Sequence, residues 1–198
     1  MSEAKDRLLA QMKDPEGAVY ALISGFTKEP YVECDKETYD DKVFIYLSED
    51  AAKAKAEELK EEKIPVGAAT ILANHMLLFF TNLYTMGVNA LEIYYDDQKE
   101  LVQIDEFAKR RENPQLEEGK KWIENPQLHL TALYYMQELR KSQDGGTDQL
   151  KELNEELMIH FKEGRYIVAV QEGQGIPMLQ KEGKIYQPLF TDFQEFQK

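Results

Sequence analysis
Apolar and polar positions along this chain fall into blocks whose period changes several times, and each change marks an element. Residues 3 to 13 place Leu8, Leu9 and Met12 at helical spacing behind Ser2, a capping residue, and Asp14-Pro15-Glu16-Gly17 stops the run. Three strand candidates follow at 19 to 24, about 30 to 33, and 43 to 47. The last, Val43-Phe44-Ile45-Tyr46-Leu47, is apolar without interruption, which is the pattern of a strand covered on both faces. Ser48 then predicts a helix to about Lys63, with Glu49 and Asp50 in the first turn, where the helix dipole favours anions. Ala52, Ala56 and Leu59 form its inward face, and the Lys and Glu positions around them read as a solvated one.

Pro65 to Leu72 reads as a further strand, and Asn74 is placed to cap a helix that ends at Gly87, a residue suited to a left-handed cap. Met76, Phe79, Phe80 and Leu83 follow the i, i+3, i+4, i+7 rule, while Leu77, Leu78 and Tyr84 fill much of the remaining circumference. This helix is therefore expected to be the best buried. Leu78, Phe79, Phe80 and Leu83, with Phe44 and Leu22, are the expected core. Leu91 to Tyr95 forms another strand before an Asp96-Asp97 turn. Helices between the later strands imply a parallel pairing, and the short loops between the early ones imply a meander.

The early pattern returns near the carboxyl end. A helical stretch ending at Gly17, the run Val19 to Ile23, and Pro30-Tyr31-Val32 are answered by Gly164, the run Tyr166 to Val170, and Pro177-Met178-Leu179 at an offset of 147. A loop four residues shorter changes the offset to 143, so that Leu47-Ser48-Glu49 matches Phe190-Thr191-Asp192. Thr191 is placed to form a capping box with Gln194, and Phe193 and Phe196 mark an apolar face. Between the copies, Glu-Asn-Pro-Gln-Leu occurs at 112 to 116 and again at 124 to 128, each time with Asn as cap and Pro at the first helical position. Asp144-Gly145-Gly146 reads as a linker, and Thr147 restarts a helix with the stripe Leu150, Leu153, Leu157 and Phe161. The expected fold is α+β or α/β: a mixed sheet with helices, in two related units at 1–100 and, in part, 147–198, joined by a helical linker region at 101–146. Counterparts of residues 56 to 95 are absent from the second copy. Either the polypeptide continues, or that copy packs on the first unit or on another protein.

Composition narrows the function classes. With 198 residues, 42% hydrophobic and 31% charged, the chain is long and apolar enough for a real core. The net charge of −13 is concentrated in residues 1 to 100, where 20 acids face 11 bases. Such a surface repels phosphate backbones and argues against nucleic acid as a partner. No apolar run reaches a membrane span and no signal-like start is present, so no membrane association is expected and the cytoplasm is the expected compartment. The single cysteine, Cys34, cannot form an internal disulfide.

No catalytic constellation emerges. The three histidines, His75, His129 and His160, have no metal-binding spacing, and the serines form no nucleophile elbow. Gly173-Gln174-Gly175 lacks the third glycine and the following helix of a dinucleotide loop. The acidic stretch Glu33 to Asp41 lacks the glycine and terminal glutamate of a calcium loop and reads as a polar connection that contacts a protein partner. Tyr31, Asp35, Tyr39, Asp40, Asp41 and Tyr186 are the candidate interaction residues, and no cofactor or metal is expected.

The run Gly183-Lys184-Ile185-Tyr186-Gln187-Pro188-Leu189-Phe190-Thr191-Asp192-Phe193-Gln194-Glu195-Phe196 resembles the strand-to-helix signature of the SseB-like (enhanced serine sensitivity) family. Tyr166 to Val170 and Pro177 to Leu179 resemble the strands before it. Phe44 to Ser48 matches the same signature without its proline, and Met86 to Leu91 resembles the family's late helix-to-strand joint. The resemblance implies an α/β fold and supplies no catalytic residues. The expected function is thus a non-catalytic scaffold or regulatory protein that binds a protein partner or itself. The alternative is a small-molecule-binding or enzymatic domain, with its site in a cleft between the units.

Overall fold
The computed structural model describes residues 2–109, 121–141 and 147–197. The chain opens with α1 (Glu3–Lys13), whose first turn is closed by the Ser2 hydroxyl accepting from the Lys5 amide at 3.3 Å. β1 (Ala18–Ser24), β2 (Val32–Cys34) and β3 (Asp41–Tyr46) follow. Next come α2 (Glu49–Glu61), β4 (Val66–Leu72), α3 (Ala73–Thr85), β5 (Ala90–Tyr95) and β6 (Gln98–Gln103). They build one mixed sheet in the order β4-β1-β3-β5-β6, with β2 added on β3. β3 and β5 are parallel, from Lys42↔Ala90 to Tyr46↔Tyr94, and the other pairings are antiparallel.

Successive residues of a strand face opposite sides of the sheet, so the unbroken apolar run of β3 supplies two cores at once. On one side Val19, Ile45, Ile93, Phe80 and Leu83 pack with Leu8 under α1 and α3. On the other, Leu22, Phe44 and Tyr46 pack against Ala52, Ala56 and Leu59 of α2. The single core expected around Leu78 is therefore divided. Phe44 and Leu22 lie across the sheet from Phe80, and Leu78 is 62% exposed. A helix lying on a sheet buries one stripe, here Met76, Phe80 and Leu83, however apolar its other faces are. Asn74 does not cap this helix: α3 starts at Ala73, whose amide donates to the Gly17 carbonyl at 2.8 Å, so backbone does the work expected of a side chain. Gly87 does take the left-handed conformation, at φ 82°.

The sheet continues across residue 100, because β6 occupies the start of the segment expected to be a helical linker. α4 (Pro126–Lys141) and α5 (Asp148–Glu163) pack together, and the Thr147 hydroxyl caps α5 by accepting from the Leu150 amide. The Asn-Pro pair at 113–114 and the Gly-Gly linker at 145–146 lie outside the described residues. Pro126 opens α4 as expected, but the Asn125 side chain is used elsewhere. Its amide donates to the carbonyls of Arg165 and Thr191 and its oxygen accepts from the Arg165 amide, tying α4 to the carboxyl-terminal segment.

That segment has less regular structure than its apolar runs predict. Residues 166–170 form no strand, and among the described residues pairing there is limited to a bridge between Ile167 and Phe190. β7 (Leu179–Lys181) and β8 (Lys184–Tyr186) make a separate two-stranded sheet. α6 (Phe193–Gln197) is capped by Asp192, which accepts from the amides of Gln194 and Glu195, and not by Thr191, whose hydroxyl donates to Asp192. Gln194 reaches α3 instead, donating to Asn82 at 2.6 Å and accepting from the Thr85 hydroxyl. The two cores make a contrasting pair of substitutions informative. Phe80→Ala is expected to cost about 3–5 kcal/mol in urea unfolding, and Leu78→Ala less than about 0.5 kcal/mol.

Candidate functional site
β2 and β3 are joined by a tight acidic loop, and the α4–α5 pair stands against it. Asp35 builds the loop: its Oδ1 accepts from the amides of Glu37 and Thr38, and its backbone amide and carbonyl bond to Asp40 and Tyr39. Its Oδ2 takes the Lys42 ammonium at 2.9 Å. The Lys42 hydrogen bond, followed by the backbone amides, holds the Asp35 carboxyl well below the usual carboxylate range. Tyr39 sits at the tip at φ 61° and is 80% exposed.

Asp40 and Asp41 each have partners of their own. Burial pulls the Asp40 carboxyl up, but hydrogen bonds from Thr38, Gln103 and Asn89 outweigh it and leave it lowered. Asp41 is half-buried, and burial raises it despite the bond that it accepts from the Tyr134 hydroxyl at 2.6 Å. The Tyr134 phenol is itself raised by burial and by Asp41, so it stays protonated and donates. Deeper in the sheet, the Glu92 carboxylate accepts from Lys99 at 2.7 Å and from the Tyr94 hydroxyl at 2.9 Å, with Lys42 at 3.3 Å. Asp35, just after β2, and Lys42, Glu92 and Lys99 on β3, β5 and β6 thus alternate in charge. Burial opposes the ionised forms of Lys42 and Glu92, and their partners overcome it in both.

Helix α4 completes the site by treating β2 as a strand edge. The side-chain amide of Gln137 donates to the Val32 carbonyl at 3.0 Å and accepts from the Val32 amide at 3.4 Å, in the place of a neighbouring strand. Between hairpin and helices lies a cleft of about 660 Å³ whose walls include Tyr31, Cys34, Tyr39, Tyr134 and Gln137.

Five of the six candidate interaction residues, Tyr31, Asp35, Tyr39, Asp40 and Asp41, therefore gather at this hairpin. Tyr186 does not join them, because it lies on β8 in the other sheet. Tyr31 is a core residue: it is buried, its ring stacks on Phe44 at 5.9 Å, and its hydroxyl donates to Glu33 at 2.7 Å. Lys42, Glu92, Tyr134 and Gln137 belong to the site but escaped the sequence. The available signal was Glu92, a single charge inside the apolar run Leu91 to Tyr95.

The chemistry offered is that of a closed ionic network. The Cys34 thiol is raised by burial and by Asp41, Asp35 and Asp40, which keeps it protonated. Among the described residues, no group of three or more His, Cys, Asp or Glu is arranged to hold a metal ion. The histidines stand apart on α3, α4 and α5, and the last of them lies 3.3 Å from Glu156. No described helix is long and apolar enough to cross a membrane. No family model, curated protein or solved structure matches the chain, so the SseB-like resemblance rests on the residues quoted for it.

The two aspartates at either end of the loop should respond oppositely to pH. Asp35, lowered in the folded state, contributes stability that is present above its unfolded value near 4 and is lost as pH falls through the folded value. Asp41, raised in the folded state, contributes stability at low pH that is lost as pH rises through its folded value. In urea unfolding across pH, Asp35→Asn should be destabilised most at neutral pH, with the difference from the parent closing in acid. Asp41→Asn should gain relative to the parent as pH rises. Gln137→Ala, which strips Val32 of both partners, should cost about 1–3 kcal/mol.

Proposed function
We propose that this protein is a non-catalytic interaction module of SseB-like type, and that it binds protein through the carboxyl-terminal segment rather than the acidic hairpin. The supporting observation is where apolar side chains meet solvent. Val170 and Ile185 are 72% and 69% exposed, and Ile159, Met178, Leu179 and Phe193 also lie open within residues 158 to 196. Apolar exposure concentrated in one segment is the mark of an interaction surface. At the hairpin the Asp35, Asp40 and Asp41 carboxylates are bonded within the fold, so none of these three is left poised as a base.

A second reading is favoured by the cleft beside Tyr39 and Tyr134, whose volume of about 660 Å³ is that of a small-molecule site. Tyr31 already donates to Glu33, Tyr134 to Asp41 and Gln137 to the Val32 carbonyl, so a ligand reaching these groups would have to displace those bonds. Two measurements separate the readings. At low protein concentration the chain should bind a hydrophobic dye, with binding reduced severalfold by Val170→Thr combined with Ile185→Thr. Its melting temperature should not move with amino acids, nucleotides or divalent metals. A saturable shift with one small molecule, lost in Tyr134→Phe, together with no dye binding, would establish the cleft reading instead.

A further inference from the structure
We propose that the segment from Arg165 to Phe190 is a self-association surface, at which residues 166–170 of two copies of this chain pair antiparallel about a two-fold axis. The proposal deepens the interaction reading given above and rests on it.

Its geometry comes from a correspondence between the two ends of the chain. Subtracting 147 from β7 positions and 143 from β8 positions carries Leu179↔Tyr186 onto Val32↔Val43, Gln180↔Ile185 onto Glu33↔Lys42, and Lys181↔Lys184 onto Cys34↔Asp41. The turns agree as well. Lys28 at φ 65° corresponds to Gly175 at φ 81°, and each donates its amide to the carbonyl four residues earlier. Tyr39 at φ 61° corresponds to Glu182 at φ 53°. Residues 166–170 thus stand where β1 stands in the first unit. There Tyr20 has an antiparallel neighbour on each side, Tyr46 and Thr70. Among the described residues its counterpart, Ile167, pairs with Phe190 alone.

The open edge has a definite direction. The Ile167 amide and carbonyl both bond to Phe190, and those of Gln171 both bond to Gly175, so the odd-numbered residues face inward. In extended chain the even-numbered residues Tyr166, Val168 and Val170 then turn their amides and carbonyls outward. A two-fold axis beside an edge strand generates antiparallel pairing, the same geometry that β4 gives β1. Centred on Val168, it sets Val168 against its own copy and Tyr166 against Val170 of the second copy.

Charge supports this occupant. Self-association of a chain of net charge −13 is opposed by repulsion. From 164 to 190, however, the bases Arg165, Lys181 and Lys184 face only the acids Glu172 and Glu182. Arg165 and Glu172 lie at opposite ends of the open edge, so the antiparallel arrangement brings each beside the other in the second copy and forms the ion pair twice.

Sedimentation velocity of the full chain over a wide concentration range tests the proposal. A concentration-dependent dimer is expected, abolished by Val168→Pro with the circular dichroism spectrum unchanged. Arg165→Glu and Glu172→Arg should each weaken it severalfold, and the double exchange should restore it. In a Cys34→Ser background, Val168→Cys should form a disulfide-linked dimer on oxidation and Ala169→Cys should not. A dimer indifferent to both charge reversals overturns this interface. A monomer at all concentrations that still binds hydrophobic dye overturns self-association and leaves the interaction reading standing, whereas a monomer that binds no dye overturns both.

Discussion
The interaction on which the structure depends is the burial of β3, a central strand with both edges paired and both faces covered. Its carboxyl half pairs with β1 and its amino half with β2 along one edge, while β5 runs parallel along the other. Side chains pointing one way enter the core under α1 and α3, and those pointing the other way enter the core under α2. Lys42 and Glu92 are the charges that this burial captures, and the alternation of Asp35, Lys42, Glu92 and Lys99 keeps them ionised. The same requirement explains Gln137, which stands in for a strand against the edge of β2.

Against that standard the carboxyl-terminal segment is unsatisfied. It has a hairpin in the register of β2 and β3, a helix after it, and a run of β-branched residues before it, but its sheet has two strands. Its links to the remainder are specific polar ones, Asn125 to Arg165 and Thr191, and Gln194 to Asn82. These fix the segment in place without covering its apolar side chains. The contrast between a fully covered strand β3 and an open carboxyl-terminal segment is what the proposed binding reading rests on.

Much of the fold was legible because periodicity reports burial. The helices at 3–13 and 49–61, their serine caps, and the doubly covered strand β3 all follow from spacing alone. Sidedness was not legible in α3, since a helix apolar on most faces does not declare which one meets the sheet, and Leu77 and Leu78 look no different from Phe80. β6 was hidden because Gln98-Lys99-Glu100 is the polar composition of an edge strand. The expected caps failed for different reasons: the Asn125 side chain is taken by Arg165 and Thr191, the Thr191 hydroxyl donates to its neighbour Asp192, and α3 starts one residue before Asn74. For the candidate site, the acidic loop was visible as composition, but pairing Lys42 with Glu92 required knowing that β3 and β5 lie side by side.

Amide hydrogen exchange of the full chain, resolved by residue and repeated from dilute to concentrated protein, tests most directly whether the open edge is a binding edge. The β3 amides should be protected equally at every concentration, since their partners are intramolecular. Protection of the Val168 and Val170 amides should be low in dilute protein and rise with concentration. Slow exchange there at all concentrations, or fast exchange that concentration does not change, would contradict the account.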